Sequence, residues 1–253
     1  MGIKRIALAT LGEKRYLSLL ANIFQRVYRT GWLGKEYQDV YFLKEFIREG
    51  DWCVDIGAHL GYFSLELSRL VKTSGKVFAV EPMSKFNKTL QRLLQHYRIG
   101  NVTVYPVALG GEGEYVEMGI PRVGQMKKFA YARVMESSKD LEYVESERVK
   151  NESGDRLFKD LPRLNFIKCD VEGLEYAVFR SMQETIKRHS PIILCELGLN
   201  GERLKVYELL NPLGYKVYRL ENGKLYPIDV HAEELTVAQN NYFIPAKQEG
   251  RFQ

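Results

Sequence analysis

Residues 54–61, Val54-Asp55-Ile56-Gly57-Ala58-His59-Leu60-Gly61, decide the fold. Before them, Trp52-Cys53-Val54-Asp55-Ile56 is a short apolar run of the kind that forms a buried strand. After them, Tyr62 to Val71 reads as a helix. A strand that passes into a helix over a glycine-bearing turn opens an α/β sheet, and such sheets bind ligands at their carboxyl edge. Gly57 lets the chain turn with no Cβ in the way, and Gly61 lets the helix start close to a ligand. Asp55 is placed to accept hydrogen bonds from an ammonium group, directly or through water.

Outward from this turn the pattern repeats. Lys76–Val80 reads as a strand closing on Glu81-Pro82, Ser84–Tyr97 as a helix with Ser84 as N-cap, and Asn101–Val107 as a strand. Such β-α-β-α-β order predicts a parallel sheet with right-handed crossovers. Further on, Leu164–Cys169 and Pro191–Cys195 read as strands, Leu174–His189 and Glu202–Leu210 as helices. Tyr215–Leu220 and Asn241–Ile244 supply the last strands, with Asn222-Gly223 as a turn. The expected architecture is α/β, Rossmann-like and seven-stranded, with N-terminal helices and a mid-chain insert. Residues 1–50 form the helical extension, 51–247 the main domain and 248–253 a tail.

In the extension, Tyr16 to Val27 has helical spacing, Thr30 to Gly34 breaks it, and Glu36–Glu49 forms a second helix ended by Gly50 as a C′ glycine. These helices are expected to cover the cofactor or make a homodimer contact, with Trp32, Tyr37 and Tyr41 as apolar surface. The insert, 111–160, breaks the α/β rhythm. Gly110 to Gly113 is a turn, and the charged run Glu136–Lys150 is expected to be a solvated, mobile loop beside short antiparallel strands.

The chain has 253 residues and a net charge of +5, an excess too small for a nucleic-acid footprint without a clustered patch. Cys53, Cys169 and Cys195 are widely spaced in apolar runs, which suits buried, reduced thiols in the cytoplasm rather than a disulfide or zinc framework. No stretch approaches the ~20 apolar residues that span a bilayer, and the N-terminus lacks a signal-peptide pattern.

Glu81 ends the second strand, 24 positions after Gly57, where a carboxylate can take both ribose hydroxyls of an adenosine. A nicotinamide dinucleotide would want G-x-G-x-x-G, so that its pyrophosphate lies on bare backbone. From Gly57, the second and third glycine positions hold His59 and Tyr62. S-adenosylmethionine carries no phosphate and needs only the wider D-x-G-x-x-x-G. The candidate cofactor residues are Asp55, Gly57, Ala58, His59, Gly61, Tyr62, Phe63, Glu81, Pro82, Ala108 and Asp170. A nicotinamide-dependent oxidoreductase and a non-catalytic scaffold of the same fold stand as the alternatives.

Asp170, Glu172 and Glu196 follow the fourth and fifth strands on the same edge. Methyl transfer from a sulfonium is an in-line displacement, and the acceptor hydroxyl must lose a proton as it attacks. A carboxylate within hydrogen-bond reach takes it. Asp170 is the first choice for that base, with Glu172, Glu196 and His59 as alternates. The bland readings are helix capping by Asp170 and Glu172, and a solvated pair of Glu196 with Arg203 or Lys205. Three carboxylates also suit Mg²⁺ or Mn²⁺, ranked below metal-free catalysis. In the insert, Lys127, Lys128, Phe129, Tyr131 and Arg133 mix cations with aromatics, which suits a sugar or anionic substrate and equally an ordinary amphipathic loop.

These segments together resemble the FkbM family of methyltransferases. The likeness rests on VDIGAHLGYFS (54–64), VFAVEP (77–82), NVTVYPVAL (101–109), FIKCDVEGLEYAVFRSM (166–182), PIILCEL (191–197) and NNYFIPA (240–246). Its most specific part is the D-x-E-G of Asp170 to Gly173. The resemblance implies S-adenosylmethionine as donor, S-adenosylhomocysteine as product, and methylation of a hydroxyl on a sugar, glycan or natural product. It assigns Asp55, Gly57, Gly61 and Glu81 to the cofactor and Asp170 and Glu172 to the active site. His59 departs from the family's usual Asn.

Overall fold

The computed structural model describes residues 10–28, 34, 37–124, 126–137, 140–198, 202–230 and 239–251. Helices α1 (Glu13–Tyr28) and α2 (Gln38–Phe46) precede β1 (Trp52–Ile56), α3 (Tyr62–Val71), β2 (Lys76–Val80), α4 (Ser84–His96) and β3 (Val102–Tyr105). The insert carries β4 (Ala108–Leu109), β5 (Tyr115–Val123), β6 (Met126–Lys127), β7 (Arg133–Val134) and β8 (Tyr143–Glu152). Then come α5 (Gly154–Leu157), β9 (Phe166–Cys169), α6 (Glu175–Ser181), α7 (Gln183–His189), β10 (Ile192–Leu197) and α8 (Glu202–Leu210). The chain closes with β11 (Tyr215–Glu221), β12 (Lys224–Pro227) and β13 (Gln239–Pro245).

The main sheet runs β12-β11-β13-β10-β9-β1-β2-β3. β3, β2, β1, β9 and β10 are parallel neighbours, and β13 and β11 add antiparallel. The sheet has eight strands rather than the expected seven. β12 extends the edge because Asn222-Gly223, both at positive φ, turns β11 straight back on itself. Side chains alternate across the sheet. Val54 and Ile56 face a core built with Val178, Phe179 and Ile186, and Cys53 faces one built with Leu43, Leu67 and Val71. The sheet is therefore covered by helices on both faces, the doubly wound plan expected of the sequence.

Local boundaries differ from expectation where tertiary contacts decide them. α2 ends at Phe46, so Gly50 is not its C′ residue; its positive φ serves the turn whose N–H reaches the Val71 carbonyl. Ser84 makes no side-chain cap and is the first residue of α4, its N–H donating to Glu147. The helix expected over 174–189 is two, α6 and α7, divided at Met182. From Tyr143 on, the run 136–150 is strand, not loop. β8 pairs antiparallel with β5 along nearly its full length. Its charges are compatible with a strand because they are spoken for: Glu145 pairs with Lys85 and Lys127, and Glu152 with Lys150 and Arg156.

All three cysteines are buried free thiols. Tyr37 and Tyr41 pack inside the chain on Phe24 and Tyr28, and Trp32 lies outside the described residues. Asp39 of α2 is buried and accepts from Tyr242 Oη (2.5 Å) and Asn240 Nδ2 (2.9 Å), tying the extension to β13. Among the described residues no helix is long and apolar enough to cross a membrane.

Candidate active site

A cavity of ≈ 210 Å³ opens at the carboxyl ends of β1, β2 and β9. Parallel strands aligned in register bring their terminal loops to one edge, which is why residues far apart in sequence meet here. Of the candidate cofactor residues, Asp55, Gly57, Ala58, His59, Tyr62, Phe63, Glu81, Pro82, Ala108 and Asp170 line it, with Glu172. Gly61 and Glu196 do not.

The two glycines are needed for packing. A Cβ on Gly57, at φ +78°, would lie 1.8 Å from the Asp170 backbone oxygen. The loop after β1 thus passes directly against the D-x-E-G loop. A Cβ on Gly61, at φ +84°, would lie 2.4 Å from Leu90 Cδ1. Gly61 therefore lets α3 seat against α4 rather than against a ligand.

Asp55 and Glu81 are buried, at 2% and 4% exposure. Asp55 accepts from Ser64 Oγ at 2.5 Å. Glu81 accepts the N–H of His59 and of Met83, both at 2.8 Å, one on each oxygen. Each carboxylate oxygen has a second lone pair, so Glu81 keeps capacity for two hydroxyls. Burial pushes Asp55 up to about 6, against the opposing Ser64 hydrogen bond, and Glu81 up to about 7, against its two backbone bonds.

The D-x-E-G loop is held by Glu175, a residue the sequence reading passed over. Glu175 is 2% exposed and accepts the N–H groups of Val171 (3.3 Å) and Gly173 (3.0 Å). It holds the loop backbone, the kind of role considered for Asp170 and Glu172, and leaves their side chains toward the cavity. Lys168 was also passed over. It is 1% exposed, its Nζ lies 3.2 Å from Asp170 Oδ2, and it sits 5.0 Å from the Phe63 ring centroid. Burial alone would lower its pKa, but Asp170 and the neighbouring acids outweigh it and the net shift is upward. A lysine alone in the apolar run FIKC was the available signal, since a buried cation requires a partner.

Glu172 has a positive φ of 59° and pairs with Arg133 of β7 at 2.7 Å. Burial, and then the charge of Asp170, pushes Glu172 up to about 8 against the pull of Arg133. The insert thus reaches the site at Arg133 and at Phe129, which lines the cavity. Lys127 instead pairs with Glu145 and Glu13, and Lys128 lies over the exposed Tyr131. Arg203 hydrogen-bonds Tyr207, Lys205 lies over the Tyr176 ring, and burial and Asp170 raise the pKa of Glu196.

His59 has φ +48° and a ring 4.1 Å from that of Phe86. Burial lowers it to about 4, countered in part by Asp170 and by a hydrogen bond to the Phe129 carbonyl. Its Nε2 is buried with no partner. It is a neutral imidazole with little proton affinity at neutral pH, which fits a packing and anchoring role better than a base.

The lining has four carboxyl groups, Asp55, Glu81, Asp170 and Glu172, against the single ammonium of Lys168, with Arg133 behind Glu172. Lys168 and Arg133 are already paired with Asp170 and Glu172, so a pyrophosphate would find no cation to neutralise it here, whereas a ligand carrying a sulfonium and an ammonium meets carboxyl groups. Among the described residues no group of three or more His, Cys, Asp or Glu is arranged to hold a metal ion.

A methyltransferase FkbM domain matches residues 55–217. The chain is 26% identical over 148 residues to "Methyltransferase 1" of Beauveria bassiana, spanning 52% of this chain and 58% of that relative's length. Among solved structures, it resembles an FkbM methyltransferase of Methylobacillus flagellatus (21% identity, TM-score 0.49, 76% of this chain and 43% of that one). It also resembles an S-adenosylmethionine-dependent O-methyltransferase of Thermotoga maritima (17% identity, TM-score 0.43, 84% and 66%). By the domain match, which covers more than half its length, the chain belongs to the FkbM methyltransferase family.

Proposed function

From that membership, we propose that the chain is an S-adenosylmethionine-dependent O-methyltransferase acting on a hydroxyl of a sugar, glycan or natural product. The observation that carries the reading is one cavity bounded by Asp55, Glu81 and Asp170, each at the end of a different parallel strand. When bound, S-adenosylmethionine supplies an electrophilic methyl on a sulfonium. Glu81 takes the ribose hydroxyls, and Asp55 takes the ammonium directly or through water. Gly57 and Ala58 give the backbone turn over which the ligand lies.

Asp170 receives the proton of the acceptor hydroxyl. Its side chain is 33% exposed, so an acceptor can reach it. Asp55 and Glu81 are nearly sealed, and Glu172 is less exposed, at 23%, and held more closely, by Arg133 at 2.7 Å against 3.2 Å from Lys168 to Asp170. Lys168 orients the Asp170 carboxylate from below and balances its charge before transfer. Glu172, held by Arg133, shapes the acceptor side of the cavity. Isothermal titration calorimetry with S-adenosylhomocysteine tests the reading, and no binding at high ligand concentration overturns it.

A further inference from the structure

Helices α1 and α4 lie side by side and run the same way. Glu13, at the start of α1, pairs with Lys85 at 2.5 Å near the start of α4. Asn22, further along α1, accepts from Tyr97 Oη at 2.8 Å just past the end of α4. Their outer sides therefore form one strip of surface.

That strip is apolar and basic together. Leu11 (37% exposed), Leu19 (43%) and Ile23 (46%) stand out from the α1 side, and Tyr97 (38%) from the α4 side. They are four of the eight exposed large hydrophobic residues among the described ones. Leu19 and Ile23 are one helical turn apart and share a face. Single exposed apolar residues are ordinary, whereas half of them gathered on two neighbouring helices is a patch.

Around the patch stand the exposed cations Lys14, Arg15, Arg26, Lys88, Arg92 and Arg98. Among the described residues none of these six makes an ion pair. α4 contains no Asp or Glu, and the one acid of α1, Glu13, is engaged by Lys85 and Lys127. A surface built only for solubility intersperses both signs.

We propose that this α1–α4 strip docks on an anionic lipid surface. Cations at headgroup level and aliphatics entering the acyl boundary are the two halves of interfacial helix binding. A second copy of the chain would bring like charges together. A nucleic acid would take the cations but would give Leu11, Leu19 and Ile23 nothing to be buried against.

The test is flotation of the full chain with vesicles of equal parts phosphatidylcholine and phosphatidylserine, beside phosphatidylcholine alone. Binding is expected to the anionic vesicles only and to weaken with salt. Lys88→Glu with Arg92→Glu should weaken it at least about tenfold. Leu19→Ser with Ile23→Ser should weaken it about tenfold. Leu204→Ser, an exposed aliphatic elsewhere, should leave it unchanged, with melting curves confirming that each variant is folded. No binding to anionic vesicles overturns the proposal, and so does binding that Leu19→Ser with Ile23→Ser leaves intact. Binding of a duplex oligonucleotide that depends on Lys88 and Arg92 but ignores Leu19 and Ile23 would assign the strip to nucleic acid instead.

Discussion

Two pairs of carboxylates share the cavity, and their surroundings differ. Asp55 and Glu81 are sealed at the ends of β1 and β2, their oxygens engaged by Ser64 and by two backbone N–H groups. Asp170 and Glu172 are part-exposed and face cations, Lys168 and Arg133. The first pair is fixed by hydrogen bonds and suits binding. The second is positioned by ion pairs in an accessible cleft and suits chemistry. Identical functional groups thus divide their tasks by environment.

The division predicts separable defects. Asp170→Asn should lower kcat about 10²–10⁴-fold with S-adenosylhomocysteine affinity nearly unchanged. A comparable loss of affinity in calorimetry would merge the two pairs into one. Gly57→Ala should strike both pairs together, because its Cβ meets the Asp170 backbone. The expected loss is about 1–3 kcal/mol or more, read as a fall in Tm of about 2–4 °C per kcal/mol. An unchanged Tm would mean that the two loops do not touch.

The sealed pair should also give a pH signature. Glu81 is raised by burial to about 7, so the ionised form that accepts ribose hydroxyls is depleted below that pH. S-adenosylhomocysteine affinity should therefore fall as pH drops below 7, by up to about tenfold per unit, with proton release on binding seen in buffers of different ionisation enthalpy. The unliganded protein has the opposite sign. A carboxyl raised from 4.5 to about 7 costs stability as pH climbs through that window. A flat affinity profile from pH 5 to 8 would remove Glu81 from the ribose role. The smallest effect is expected from Arg133→Met. Its pair with Glu172 is part-exposed, so stability should change by about 1 kcal/mol or less in urea unfolding, while Glu172 titrates still higher. A larger loss would show that the insert depends on this contact to stay docked.

The sealed pair was legible in the sequence and the open pair only in part. Asp55 and Glu81 each close an apolar run, so the strand pattern places them at the sheet edge without further information. Asp170 was legible for the same reason. Lys168 was not read, because a strand pattern reports burial and not which partner neutralises a buried charge. Glu175 was missed because its role lies in the loop before it rather than in its own helix. Glu196 shares the strand-end pattern of Asp170 yet stands outside the cavity lining. The run 136–150 was misread because its lack of apolar periodicity hid a strand, from Tyr143 on, whose Glu145 finds partners on α4 and β6.

By itself the sequence determined the α/β order, the glycine-bearing turn at residues 54–61 and the carboxylates that close the strands. These are local properties, fixed by periodicity and by the lack of a Cβ. Tertiary structure alone decided why Gly57 must be glycine, which carboxylates are sealed and which are open, and that His59 is a half-buried ring whose Nε2 has no partner. Each of those depends on groups distant in sequence, the Asp170 carbonyl against Gly57 and Phe86 and Phe129 against His59. Burial and charge pairing, which set the acidity of every group in the cavity, exist only once the strands are aligned.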